Sequence, residues 1–107
     1  MGRSTNQEVI KELKRIKKEI SKQYKIQKML LFGSRARGDH KLTSDVDLIV
    51  VSKDFKKFHF RQRPNDFLDA WILPVDFEVI CYTPEEFLRK KKEYGIVRQA
   101  AKEGIMI

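Results

Sequence analysis

Residues 45–51, "DVDLIVV", constrain this chain more than any other stretch. A run of β-branched and apolar residues of this length reads as a strand, and in a strand residues i and i+2 share a face. Asp45 and Asp47 therefore project together, about 6 to 7 Å apart at the backbone given a rise of about 3.3 Å per residue. Val46, Leu48 and Val50 take the opposite face. Carboxylates at the entrance of a buried strand are costly unless a cation offsets them. The spacing thus predicts a sheet with an acidic site at one end.

The flanking segments extend that reading. "KMLLF", 28–32, is a short apolar run that stops at Gly33-Ser34 and reads as a first strand. "RARGDHKLTS" is a polar connection with room for one helical turn. "VDFEVICY", 75–82, is a third strand, with Asp76 second in it and Glu78 on the same face. If the second and third strands are neighbours, three or four carboxylates gather at one place. Before the first strand, Val9, Ile10, Leu13, Ile16, Ile20 and Tyr24 recur at spacings of three and four, which predicts an amphipathic helix over about 5–24 with Thr5 and Glu8 as a capping box. "KDFKKFHFRQR", 53–63, is basic with interleaved phenylalanines and no clean period. Pro64 suits the start of a helix over 64–72. "TPEEFLRKKKEY" opens a helix with Thr83 as N-cap and Glu85 and Glu86 in its first turn. Gly95 ends it, a short helix follows over about 96–103, and Ile105-Met106-Ile107 is a last edge strand.

At 107 residues the chain suits one domain with a single core. It shows no repeats or linker, no apolar stretch of membrane-spanning length, and no signal peptide over residues 1–20. Cys81 is the only cysteine, so no intrachain disulfide can form, in keeping with a reducing cytoplasm. The net charge of +8 suits an anionic partner such as a nucleotide, nucleic acid or acidic protein, or serves solubility alone.

An acidic cluster of this kind needs counter-charge. Hard oxygen ligands in this number suit Mg²⁺ or Mn²⁺, which keep waters and bind substrate phosphates as well. His40 and His59 are isolated from each other and from Cys81, and read as ordinary surface or loop residues. Gly33-Ser34, leaving a strand, can point backbone N–H groups at an anion with no Cβ in the way. Ser34 adds a hydroxyl, and Arg35 and Arg37 add positive charge. "GSRARGDH" lacks the glycine-lysine-serine/threonine ending of a Walker A loop.

Strand, glycine-serine, ten residues, D-x-D, strand, and a later strand acid together form a narrow pattern. "GSRARGDHKLTSDVDLIVV" resembles the signature of the polymerase-β-type nucleotidyltransferase superfamily. With "VDFEVICYTPEEF" after it, the chain is similar to the minimal nucleotidyltransferases of archaea and bacteria over about residues 28–107. The resemblance implies an α+β, polymerase-β-like fold, a small mixed sheet with helices packed on one side. It implies one domain over 1–107, with a catalytic core at about 28–82 and C-terminal helices at about 84–103. Gly33 and Ser34 would hold the β and γ phosphates of a nucleoside triphosphate, ATP foremost. Asp45 and Asp47 would ligate two Mg²⁺ ions, and Asp76 would be the third acid, ligating the catalytic metal and helping to deprotonate the incoming hydroxyl. By geometry alone Glu78 is the alternative third acid. Arg35 and Arg37 would neutralise the triphosphate.

The resemblance also implies transfer of a nucleoside monophosphate to a hydroxyl on a protein or RNA, with release of pyrophosphate. Minimal members are commonly paired with a helical HEPN-domain protein in a toxin–antitoxin module. An alternative role is therefore a masking subunit with little or no catalysis, docking through Phe55, Phe58, Phe60 and Phe67 or through the terminal "GIMI". The same phenylalanines could instead form a core flap under a loop. Homo-oligomers are also compatible with the sequence, and direct nucleic-acid binding through 53–63 is a further reading, since cations with interleaved aromatics suit phosphate contact and base stacking.

Overall fold

A computed structural model describes residues 2–107. Its first helix, α1 (Asn6–Ile20), opens on a complete capping box: the Glu8 N–H donates to Thr5 Oγ1, and the Thr5 N–H donates to the Glu8 carboxylate. Val9, Leu13, Ile16 and Ile20 form its buried stripe. The helix stops four residues short of Tyr24, and a turn carries Tyr24 instead. Its ring packs near Phe55 and Phe58, and its hydroxyl donates to Asp66 at 2.7 Å.

The chain continues as β1 (Lys28–Phe32), the single-turn α2 (Ser34–Arg37) and β2 (Val46–Val51). Two 3-10 turns, Lys53–Lys57 and Phe60–Gln62, lead to α3 (Asn65–Ala70), with Pro64 as its N-cap. Then follow β3 (Phe77–Tyr82), α4 (Pro84–Lys92), α5 (Ile96–Glu103) and β4 (Ile105–Met106). The sheet has the order β3-β2-β1-β4. β1 is antiparallel to β2 and β4, and β2 is parallel to β3. The sheet is therefore mixed, as expected.

Helices cover both faces, which corrects the expectation of one-sided packing. Met29, Leu31, Val46, Leu48, Val50 and Cys81 point to α1, Phe55 and Phe67. Leu30, Ile49, Val51 and Tyr82 point the other way, to Phe87 of α4 and to Val97 and Ala100 of α5. The physical reason lies in β1 and β2: both alternate positions are apolar, so neither face can be left to water. Asp47 shares its face with Ile49 and Val51, so the acidic end of the sheet opens on the α4–α5 side. No helix among the described residues is long and apolar enough to cross a membrane.

Candidate active site

β2 begins at Val46, so Asp45 lies just outside the ladder and Asp47 just inside it. Asp47 stands opposite Phe32 of β1 and opposite Glu78 of β3. Asp76 precedes β3 rather than lying second within it. Its carbonyl accepts the Val46 N–H at 2.8 Å, which clamps the two strand entrances together. Asp45, Asp76 and Glu78 are exposed, and Asp47 is half-buried.

At the end of β1 the chain reverses through Gly33, whose φ of 78° belongs to the left-handed side that glycine adopts readily. A Cβ here would lie 2.6 Å from Asp47 Oδ2. The turn and the carboxylate are thus built against each other. The Gly33 carbonyl accepts the N–H groups of Ala36 and Arg37, each at 3.1 Å, and so folds Ser34–Arg37 into α2. Gly38, with φ of 88°, ends that turn.

The two arginines separate into different roles. Arg35 is 1% exposed. Its guanidinium donates to the Ser44 carbonyl from Nε and Nη2, to the Ser4 and Leu42 carbonyls, and to Asn6 Oδ1, at 2.8 to 3.2 Å. With its donors engaged behind the turn, it cannot reach a triphosphate, and its expected role in nucleotide binding is corrected. It instead ties the segment before α1 and the loop before Asp45 to α2. Burial pushes its pKa down, and no carboxylate accepts from it. Arg37 is exposed and faces the site, with Nε 3.4 Å from Asp39.

A cleft of ≈ 230 Å³ opens at this point. Phe32, Gly33, Arg37 and Asp47 form one wall, and Ile96, Gln99, Ala100 and Glu103 of α5 form the other. Ser34, Asp45, Asp76 and Glu78 are not among its lining residues. Sequence reasoning missed the α5 wall. The available signal was the i, i+4 pair Gln99 and Glu103 on a short helix, and their side chains do meet, at 3.4 Å.

The electrostatics are those of unneutralised acid. Burial, then hydrogen bonding to Glu78, then the charges of Glu78 and Asp45 push Asp47 up from 3.8 to about 6. Among the described residues, none of Asp45, Asp47, Asp76 and Glu78 is in an ion pair. Nor do three His, Cys, Asp or Glu side chains stand close enough to grip one metal ion by themselves. Such a site fits an ion held by one or two carboxylates and completed by water and phosphate, as Mg²⁺ is.

Comparison with known proteins decides the family. Residues 13–106 match the family described as "Nucleotidyltransferase domain". The chain belongs to the nucleotidyltransferase domain family. Two relatives from Methanocaldococcus jannaschii are each named "putative protein adenylyltransferase". One is 43% identical over 61 residues, covering 53% of this chain and 71% of the relative. The other is 30% identical over 96 residues, covering 83% of this chain and 97% of the relative. A crystal structure of a "putative nucleotidyltransferase" from Sulfolobus solfataricus superposes with a TM-score of 0.67 over 99% of this nucleotidyltransferase domain and 89% of that chain. At 22% identity that likeness speaks to the fold.

Proposed function

We propose that this nucleotidyltransferase moves AMP from ATP to a hydroxyl on a partner macromolecule, releasing pyrophosphate. The observation that carries the reading is the close approach of Gly33 to Asp47: a glycine turn and a carboxylate open into one cleft with no room for a side chain between them. The relatives' name, adenylyltransferase, supports the choice of AMP.

Asp45 and Asp47 would hold Mg²⁺, with Mn²⁺ as a substitute, and Asp76 or Glu78 would supply the third acid. The family pattern favours Asp76, while the strand register favours Glu78 as the neighbour of Asp47. Bound there, Mg²⁺ would neutralise the triphosphate and polarise its phosphoryl oxygens. The chain's own groups would do the rest. Backbone N–H groups at Gly33-Ser34 and the Ser34 hydroxyl would seat the β and γ phosphates, and Arg37 would balance their charge from the rim. The acceptor oxygen forms a bond to the α-phosphorus as the bond to the bridging oxygen of the β-phosphate breaks. The acceptor proton passes to the third carboxylate. The α5 wall would shield the nucleotide from water.

The test is labelling with α-³²P and γ-³²P ATP in Mg²⁺, using the protein alone and with host lysate. Label transferred from the α position only, and lost in Asp45→Asn/Asp47→Asn, is the expected result. Separate Asp76→Asn and Glu78→Gln variants then identify the third acid. A masking subunit remains the second reading, favoured by the exposed apolar side chains Ile72, Leu88, Ile96 and Met106. Phe55 and Phe67 cannot serve it, because both are fully buried in the core as a flap would be. Masking of a helical HEPN-type partner would survive the double aspartate substitution, whereas transfer would not. The transfer reading implies a cytoplasmic location, where ATP is abundant.

A further inference from the structure

The charges of this molecule are sorted along the sheet. Asp45, Asp47, Asp76 and Glu78 mark one end, and the opposite end is basic. Lys28 pairs in register with Val51, which in turn pairs with Tyr82, so these three residues define that far end. It lies roughly 13 Å from Asp47 by strand rise. There Lys28 Nζ and Lys91 Nζ stand 5.4 and 5.8 Å from the ring centre of Phe87, itself 5% exposed. A groove of ≈ 230 Å³ runs along them, lined also by Gln27, Val51, Pro84 and Leu88.

The basic segment that the nucleotide site leaves unused joins this groove. The Lys53 N–H donates to Gln27 Oε1, which brings the segment to the groove's edge. Arg63, 8% exposed, pins the segment from within. Its guanidinium donates to the Phe58 and Cys81 carbonyls and to Glu86 at the start of α4. This leaves Lys56, Lys57 and Arg61 turned to solvent beside Phe58 and Phe60, which are 40% and 47% exposed. The Phe60 ring is propped on Tyr82, centroids 5.9 Å apart. Among the described residues, none of Lys28, Lys53, Lys56, Lys57, Arg61 and Lys91 is in an ion pair.

We propose that this basic, aromatic end of the sheet, remote from the catalytic cleft, binds single-stranded RNA. Like-charged cations gathered with none of them paired to a carboxylate favour a polyanion. Half-exposed rings held by a buried staple and interleaved with cations give unpaired bases a surface to stack on, which an acidic protein would not use. The surface is separate from the residues assigned to nucleotide transfer, so it does not depend on that reading.

The experiment is fluorescence anisotropy with a labelled 12-nucleotide oligouridylate, titrated over a range of salt. Binding should weaken linearly in log–log form, with a slope approaching about −4 if all six cations are engaged. Phe58→Ala/Phe60→Ala should weaken binding about 5-fold or more with the slope kept. Lys56→Ala/Lys57→Ala should make the slope shallower by about 1.4. Asp45→Asn/Asp47→Asn should bind as the parent does, and Lys11→Ala/Lys14→Ala on α1 should have little effect. The lysine pair lies at the surface, so it tests the proposal even where loss of both rings disturbs folding. Equal loss in the α1 control, competition by polyglutamate as strong as by RNA, or preference for a duplex of the same length would each overturn the proposal.

Discussion

At Gly33 the chain has no room for a methyl group, both because φ is 78° and because Asp47 Oδ2 would be 2.6 Å away. Gly33→Ala should lower stability by about 1–3 kcal/mol and remove nucleotidyl transfer, read from urea denaturation and the labelling assay. Arg35 and Arg37, two residues apart, should behave oppositely. Arg35→Lys should destabilise by about 2–4 kcal/mol, because an ammonium cannot serve the buried carbonyls of Ser4, Leu42 and Ser44 together. Arg37→Ala should leave stability within about 0.5 kcal/mol and weaken ATP binding, measured by calorimetry. Asp47 sets a pH dependence. Its carboxyl is raised in the folded state to about 6, so its protonated form favours folding. That contribution is complete below about pH 4 and is lost as pH rises through 6. In chelator, Asp47→Asn should therefore raise stability at pH 8 by on the order of 1 kcal/mol, discounted for solvent screening, and change it little at pH 4. Mg²⁺ should raise the parent's Tm at pH 8, raise it less at pH 5, and leave the variant's unchanged.

Elements were legible wherever local chemistry decides them. The capping box at Thr5 forms and Thr83 caps α4 as the sequence implies, and Glu86 closes a second box there that the sequence reading did not name. β1, α5 and the last strand also fall where the pattern puts them. Thr83→Ala should cost about 1 kcal/mol by urea denaturation, since Thr83 Oγ1 accepts the Glu86 N–H that opens α4. What remained hidden depends on distant partners. Arg35 looked like a phosphate ligand because nothing local reveals that Ser4, 31 residues away, accepts from it. The α5 wall was hidden for the same reason: nothing in "IVRQAAKE" says which strand end it will face. Asp45 and Asp76 fell just outside their strands, where periodicity is least informative about boundaries. The two-sided sheet could have been inferred from the unbroken apolar run in β2, had its second face been counted.

For the molecule as a whole, the two-sided core also settles the fate of the single thiol. Cys81 is 1% exposed, and burial pushes it up to about 12. It should stay unreactive toward a thiol reagent in the native protein and react fully in denaturant, a direct reading of global opening. The parallel pairing of β2 with β3 bears on how the site comes into being. Val46 meets Phe77 only after both 3-10 turns and α3 have been traversed, and such a closure must be made before its ladder rewards it. Asp47 and Glu78 belong to opposite sides of that closure. A ribosome releases the glycine-serine turn and both aspartates well ahead of β3, and the emerging segment still lacks the acidic neighbour that β3 brings to Asp47.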